Sequence, residues 1–385
     1  MSGVPIRVLI VDDSVVIRRL ISDVLKTDSE IEVVGTAVNG KNALDKLPSL
    51  KPDVMTLDVE MPVMDGLQTL VEVRKTYKKL PIIMFSTLTE RGAGATLDAL
   101  ERGASDYVTK PANVGSVSES MEAVRSQLIP KIKSLTGRAP MPPRRPRPAF
   151  GGEPPRGVRT GAPAQPGGAA TVEVGPATGK VDVVCIGIST GGPDALTQVV
   201  SALPGNFPVP IVVTQHMPPV FTQLFAQRLD AKAKVKVVEA TNGEPLQPGK
   251  VYIAPGDYHM RFKKAASGAV VALDQGPQEN YCRPAVDPMF RSIGEVYGGN
   301  VLAVIMTGMG QDGHRGAEPI LRAGGRLLVQ DEATSVVWGM PGAAVASGLP
   351  CDVMPLEKIA DAIVNRTMTS GRGGAPSAMS RSPRP

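Results

Sequence analysis

Residues 137–180 hold ten prolines and nine glycines in 44 positions. No helix or strand ladder carries that density, because proline removes a backbone donor and glycine loosens the chain. The segment reads as a partly extended linker, so the 385-residue chain must fold as two bodies, one on either side of it. Both flanks repeat one pattern, in which short apolar runs alternate with amphipathic stretches of helical length. Before the linker, strands are expected at Ile6–Val11, Glu32–Ala37, Val54–Asp58, Pro81–Ser86 and Ser105–Val108, with helices such as Ser14–Leu25, Leu67–Thr76 and Ser118–Leu135. After it, strands are expected at Val181–Gly187, Pro210–Thr214, Val235–Val238, Lys250–Ile253 and Val301–Thr307, with a later one near Arg326–Val329. Runs such as Val301–Met306 are apolar on both faces, which suits parallel sheets covered by helices on both sides. The expected fold class is α/β, with two doubly wound parallel-sheet domains at 4–128 and 181–367. A flexible Pro/Gly/Arg-rich linker at 137–180 joins them, and a disordered tail at 368–385 follows.

The net charge of +5 falls outside the expected domains. The linker carries seven Lys/Arg against two acids, and residues 371–385 add three arginines and no acid, which leaves the remainder at −3. A basic tether of this kind is a solvated chain, so no nucleic-acid partner is expected. No apolar stretch is long enough to span a bilayer, and Ile6–Val11 stops at Asp12 and Asp13, wrong for a secretory signal. Cys185, Cys282 and Cys351 form no CxxC pair and no even framework. A cytoplasmic protein without membrane insertion is the expectation.

In a parallel sheet the C-terminal strand ends share one edge, where ligands collect. On that edge of the first domain, Asp12 and Asp13 follow the first strand, Asp58 ends the third, Ser86 ends the fourth and Lys110 follows the fifth. Three carboxylates at one edge repel and call for a cation, and oxygen-only ligands select a hard one such as Mg²⁺. Lys110 and Ser86 are then placed to hold the oxygens of a phosphoryl group on Asp58. Asp65 reads as a turn residue with Gly66.

The strings VDDS at 11–14, LDVEMPVMDG at 57–66 and DYVTKP at 106–111 resemble a two-component receiver domain over about the first 125 residues. The resemblance implies Asp58 as phospho-acceptor, with Asp12, Asp13, Asp58 and the carbonyl of Glu60 around Mg²⁺. It also implies Ser86 and Tyr107 as a switch pair, with Lys110 beside the phosphoryl group.

The second half opens on Gly187-x-Ser189-x-Gly191, directly after an apolar strand. This is the form of a nucleophile elbow, in which glycines permit a sharp strand-to-helix turn that exposes a hydroxyl. A dinucleotide loop is the rival, but the spaced G-x-G-x-x-G and an acid after the next strand are both missing. Serine needs a base, and three histidines are available. His216 follows the adjacent strand and is favoured, while His259 and His314 read as structural. Asp312, after the strand Val301–Thr307, can orient the imidazole. Gly308 and Gly310 leave backbone N–H groups for an oxyanion, with the N–H of Thr190 as a second donor.

The order Ser, His, Asp differs from the α/β-hydrolase order. The strings GISTGGPDAL, TQHMP, APGDYHM, RPAVDPMFRS, TGMGQDG and GMPGAA instead resemble the protein-glutamate methylesterases of bacterial chemosensory systems across roughly 181–365. That resemblance implies a Rossmann-like domain, a triad of Ser189, His216 and Asp312, and an oxyanion site at Thr190 and Met309. It implies hydrolysis of γ-glutamyl methyl esters on methyl-accepting chemotaxis receptors, deamidation of receptor glutamines, and phosphate from a chemotaxis histidine kinase. The ester chemistry itself needs no cofactor. Two other readings stand beside it: a hydrolase of small soluble esters, and a non-catalytic binding module recruited through its basic tether.

Overall fold

The computed structural model describes residues 4–111, 117–138, 174–176, 178–266 and 268–368. Most of the expected linker, and the expected tail apart from Met368, lie outside these residues.

The first domain runs β1 (Ile6–Val11), α1 (Val15–Leu25), β2 (Ile31–Ala37), α2 (Gly40–Leu50), β3 (Val54–Asp58), α3 (Gly66–Thr76), β4 (Ile82–Ser86), α4 (Glu90–Glu101), β5 (Asp106–Thr109) and α5 (Val117–Leu135). Its five strands pair in the order β2-β1-β3-β4-β5, and every pairing is parallel. β3 and β4 are buried throughout, as continuous apolar runs predict. Each of the first four strand-to-helix loops ends on a side-chain N-cap. Ser14, Asn39, Asp65 and Thr89 accept the N–H of the residue three further on. Asp65 is thus more than a turn residue, since it closes a reciprocal capping box with Gln68.

The second domain runs β6 (Val183–Ile188), α6 (Gly192–Ala202), β7 (Ile211–Gln215), α7 (Phe221–Lys232), β8 (Lys236–Glu239), β9 (Lys250–Ile253), β10 (His259–Ala265) and β11 (Gly268–Asp274). It continues with α8 (Val286–Tyr297), β12 (Val301–Ile305), α9 (His314–Arg322), β13 (Arg326–Gln330), α10 (Met340–Ala346), β14 (Asp352–Met354) and α11 (Leu356–Met368). Seven of these strands form one sheet in the order β14-β13-β12-β6-β7-β9-β8. All of its pairings are parallel. The chain enters at the middle with β6, builds outward through β7, then returns to add β12 on the other side. That reversal makes a topological switch point between β6 and β12, where a crevice opens at the carboxyl ends of the strands.

β10 and β11 form a separate antiparallel hairpin that the sequence pattern did not announce. It packs on α8, where Phe262 N–H donates to Ser292 Oγ at 3.2 Å. The two domains share one apolar cluster, with Leu97, Leu100 and Tyr107 from the first and Phe221 and Phe225 from the second. Among the described residues no helix is long and apolar enough to cross a membrane.

Candidate active site

Ser189 sits in the turn between β6 and α6. Gly191 takes φ of +75°, in the left-handed region that glycine enters without steric penalty, and so bends the strand into the helix. Ser189 N–H donates to Thr307 O at 3.0 Å, and its carbonyl accepts Gln215 Nε2 at 3.0 Å. The turn is therefore clamped from both neighbouring strands. Gly308 explains the close approach from the β12 side, because a Cβ there would lie 2.8 Å from Ser189 Cβ.

His216 leaves the end of β7, with its N–H on Ile188 O at 3.2 Å. Its Nε2 meets Asp312 Oδ2 at 2.8 Å. Asp312 is almost fully buried, yet every contact it makes comes from a donor. The N–H groups of Val286 and Asp287 reach its Oδ2 and Oδ1 at 2.6 and 3.0 Å, so Asp312 supplies the cap that Ala285 cannot give to α8. Burial alone would raise its pKa, but the His216 bond and charge and the two backbone donors outweigh it and hold the carboxyl below the usual range. For His216 the balance runs upward. Burial favours the neutral ring, but the Cys282 sulfur beside it and the Asp312 carboxylate prevail and raise the imidazole pKa.

Ser189 and His216 line the same cleft. No hydrogen bond joins Ser189 Oγ to the ring among the described residues, and such bonds commonly tighten only when substrate is present. The backbone N–H groups of Thr190 and Met309 meet no acceptor among the described residues. Gly308 is different from expectation: its N–H is taken by Val337 O at 3.0 Å, so it cannot serve an oxyanion. His259 is buried, with Nε2 against Pro277 O at 2.9 Å and Nδ1 accepting Ala285 N–H at 3.3 Å. His314 opens α9, its Nδ1 beside Gln311 O. Neither ring has a hydrogen bond to Ser189 or Asp312 among the described residues.

The first domain roofs this cleft. Asp106, Tyr107, Lys131 and Leu100 face Ser189, Thr190 and His216 across a cavity of about 20 Å³, room for about one water molecule. Thr190 Oγ1 donates to Asp106 Oδ2 at 2.7 Å, and the other Asp106 oxygen accepts Lys131 Nζ at 2.8 Å. The Tyr107 ring stacks on Phe221, centroids 4.8 Å apart and planes within 7°. Farther out, Arg228 reaches Asp98 at 2.6 Å and Gly94 O at 2.9 Å, and Lys232 reaches Glu101 at 2.9 Å. Asp106, Asn280, Asp287 and Cys282 were not singled out from sequence. Asp106 lies within the DYVTKP string, but its partner is 84 residues away.

At the far edge of the first domain, Asp12, Asp13 and Asp58 each bring an oxygen within 4.8 Å of the others. Lys110 Nζ bridges Asp58 at 2.8 Å and Asp12 at 3.0 Å. Burial and the Asp12 charge push Asp58 up to about 6, against the pull of Lys110 and of a backbone donor at Glu60. The Glu60 side chain itself turns away to Arg91 at 3.1 Å. Ser86 is buried, and its Oγ donates to Gly92 O at 3.0 Å.

A parallel five-stranded domain with an acidic edge, docked over a serine and a His–Asp pair at the switch point of a second sheet, defines a response regulator with a hydrolase-type output domain. The sequence profile of the response regulator receiver domain matches residues 8–122, and that of CheB methylesterase matches residues 184–363. The chain belongs to the CheB methylesterase family. A protein-glutamate methylesterase/protein-glutamine glutaminase of Nocardioides sp. is 54% identical over 365 residues, covering 94% of this chain and 95% of that protein. Proteins of the same name from Trichodesmium erythraeum and Azospirillum brasilense are 47% and 43% identical. They cover 94% and 93% of this chain, and 98% and 91% of their own lengths.

Proposed function

We propose that this chain is a phosphorylation-activated esterase that hydrolyses γ-glutamyl methyl esters on methyl-accepting chemotaxis receptors and deamidates receptor glutamines. The observation that carries the reading is the His216–Asp312 pair beside the Ser189 elbow, in a chain that shares the family's full two-domain length.

With Nε2 on Asp312 and the Cys282 sulfur beside the ring, Nδ1 of His216 is the nitrogen left to take a proton from Ser189. Ser189 Oγ attacks the ester carbonyl while the ring takes that proton. The N–H groups of Thr190 and Met309 receive the developing oxyanion, and removing one such donor typically costs about 10²–10³ in rate. The ring then protonates the departing methoxide, giving methanol and an acyl-serine. Water, deprotonated by the same ring, cleaves the acyl bond and leaves glutamate with Ser189 restored. On a glutamine side chain the same sequence expels ammonia.

Control comes from the roof. A cavity with room for about one water does not admit a glutamyl methyl ester, so the arrangement described here is a closed one. Asp58 accepts phosphate from a chemotaxis histidine kinase, and Lys110 and Ser86 hold the phosphoryl oxygens. Asp12, Asp13 and Asp58 form a hard-oxygen set that fits Mg²⁺, because one lysine leaves three carboxylates under-compensated. When bound, the ion supplies charge neutralisation at the acceptor. Ser86 and Tyr107 relay the change to the Phe221 face. The Tyr107–Phe221 stack is worth about 0.5–1.5 kcal/mol beyond its buried area. Switching a 1:99 population to 99:1 needs about 5.5 kcal/mol, so the stack and the neighbouring polar contacts must be lost together. A cytoplasmic location goes with such a kinase and such receptor sites.

Methanol release from methylated receptor membranes, with and without a small acyl phosphate and Mg²⁺, tests the reading. Donor-stimulated release that vanishes in Ser189→Ala, and that loses its stimulation in Asp58→Asn, is expected. Release that persists in Ser189→Ala would overturn it.

A further inference from the structure

Two polar side chains beside the catalytic pair have no part in the chemistry above. Asp287 lies in the first turn of α8, buried, and its Oδ1 accepts the N–H groups of Gly313 at 3.0 Å and Gly316 at 2.6 Å. Those donors belong to the start of α9, which has no side-chain cap of its own. Asp312, two residues before α9, serves the start of α8 in the same way. The two helices thus exchange carboxylate caps, and the exchange brings two acids face to face. Burial and the Asp312 charge raise the Asp287 pKa, yet its contacts here come from donors, as an ionised carboxylate requires.

Asn280 stands between them. Its Nδ2 is 2.8 Å from Asp312 Oδ1 and 3.0 Å from Asp287 Oδ2. It projects from a tight turn in which Glu279 and Cys282 exchange backbone bonds of 3.1 and 2.9 Å. Asn280 and Tyr281 have φ of +51° and +63°, the paired left-handed geometry of a type I′ turn, which favours Asn first and Gly second. Tyr281 is 96% exposed, so packing at that residue does not hold the turn. Glu279 ties the turn to Arg291 at 2.6 Å, and the Asn280 amide anchors it to the two buried carboxylates.

We propose that Asn280 is a positioning residue for the His216–Asp312 pair: its amide spans the two buried carboxylates and fixes Asp312 so that Oδ2 faces the imidazole. Without it, like charges drive the Asp312 carboxylate off the ring, and the base loses its orientation. The other ionisable groups facing this cluster are His216, Cys282 on the same turn, and His314 at the start of α9. The inference rests on Ser189, His216 and Asp312 being the triad, and the test separates the two.

Full-length wild type, Asn280→Ala, Asn280→Asp and Ser189→Ala are assayed for methanol release with the acyl phosphate present. Asn280→Ala is expected to lose about 10- to 100-fold in kcat with KM within about twofold, the scale of a small misplacement in a catalytic array. Asn280→Asp, which sets a third carboxylate against the other two, is expected to lose more. The low-field proton resonance of the His216–Asp312 hydrogen bond should broaden or vanish in both, a signature that loss of stability alone would not give in a folded protein. If Asn280→Ala does not fold, Asn280→Ser retains one donor and carries the same test, with an expected loss of several-fold. Wild-type kcat and an unchanged resonance in a folded Asn280 variant, with Ser189→Ala inactive, would overturn this inference alone. Activity in Ser189→Ala would instead overturn the triad.

Discussion

The two sheet edges of this molecule gather acids in the same topological place and treat them in opposite ways. On the first-domain edge, Asp12, Asp13 and Asp58 converge around a single lysine, which bridges two of them. On the second-domain edge, Asp287 and Asp312 are buried too, but they receive four backbone N–H groups, the Asn280 amide and the His216 ring. Helix N-termini supply the positive potential that a cation would otherwise bring. The result is one acidic cluster that invites an ion and one that is already complete. The difference also fits two kinds of chemistry. A phospho-acceptor needs room for incoming charge, whereas a base-orienting aspartate must not move.

Substitutions at the Ser189 edge are expected to have the greatest effect. Ser189→Ala should lower methanol release by about 10³-fold or more, as removal of a nucleophile from a triad does. Next comes the seam between the domains. Arg228→Ala removes the contacts to Asp98 and Gly94 and should raise the unphosphorylated rate about twofold to fivefold, the value of a partly exposed ion pair. A basal rate that falls or stays unchanged would mean the seam does not restrain the enzyme.

Mg²⁺ at about 100 times its Kd should stabilise the first domain by about 2.7 kcal/mol, a shift of several degrees in its melting step. Asp12→Asn should blunt that shift, whereas Asn280→Ala in the second cluster should leave it intact. An equal shift in Asp12→Asn would place the ion elsewhere.

The smallest effect concerns pH. The raised His216 pKa means that the neutral, proton-accepting ring is lost as pH falls through a value above the usual 6.5. The Cys282 sulfur beside the ring contributes most to that rise. Cys282→Ala should therefore move the acid limb of kcat/KM toward lower pH and leave the variant relatively more active on the acid side. A limb that stays put would assign the shift to Asp312 alone.

Most strands were legible because a run such as Val301–Ile305 is apolar on both faces and has no other way to be buried. The structure moves their ends by one or two residues, where capping and turn geometry decide. The β10–β11 hairpin was not legible, since Arg261, Lys263 and Lys264 interrupt its apolar pattern and its pairing leaves the main sheet. Within the site, Ser189 and His216 sit directly after β6 and β7 and Asp312 in the loop between β12 and α9, so topology alone brings them to one edge. Asn280, Asp287 and Asp106 do their work through partners 32, 26 and 84 residues away. No local pattern encodes contacts of that kind. Gly308 shows the reverse error, because a glycine that suggested a free N–H is there to let Ser189 and Met340 approach.

Phosphorylation of Asp58 is expected to lift the first domain from the Ser189 edge. Hydrogen exchange of the intact chain, with and without acyl phosphate and Mg²⁺, measures that directly at the Gly191–Leu196 and Phe221–Phe225 amides. Faster exchange at both segments on phosphorylation, with no change in Asp58→Asn, is the expected result. Unchanged protection at both segments while methanol release is stimulated would contradict it.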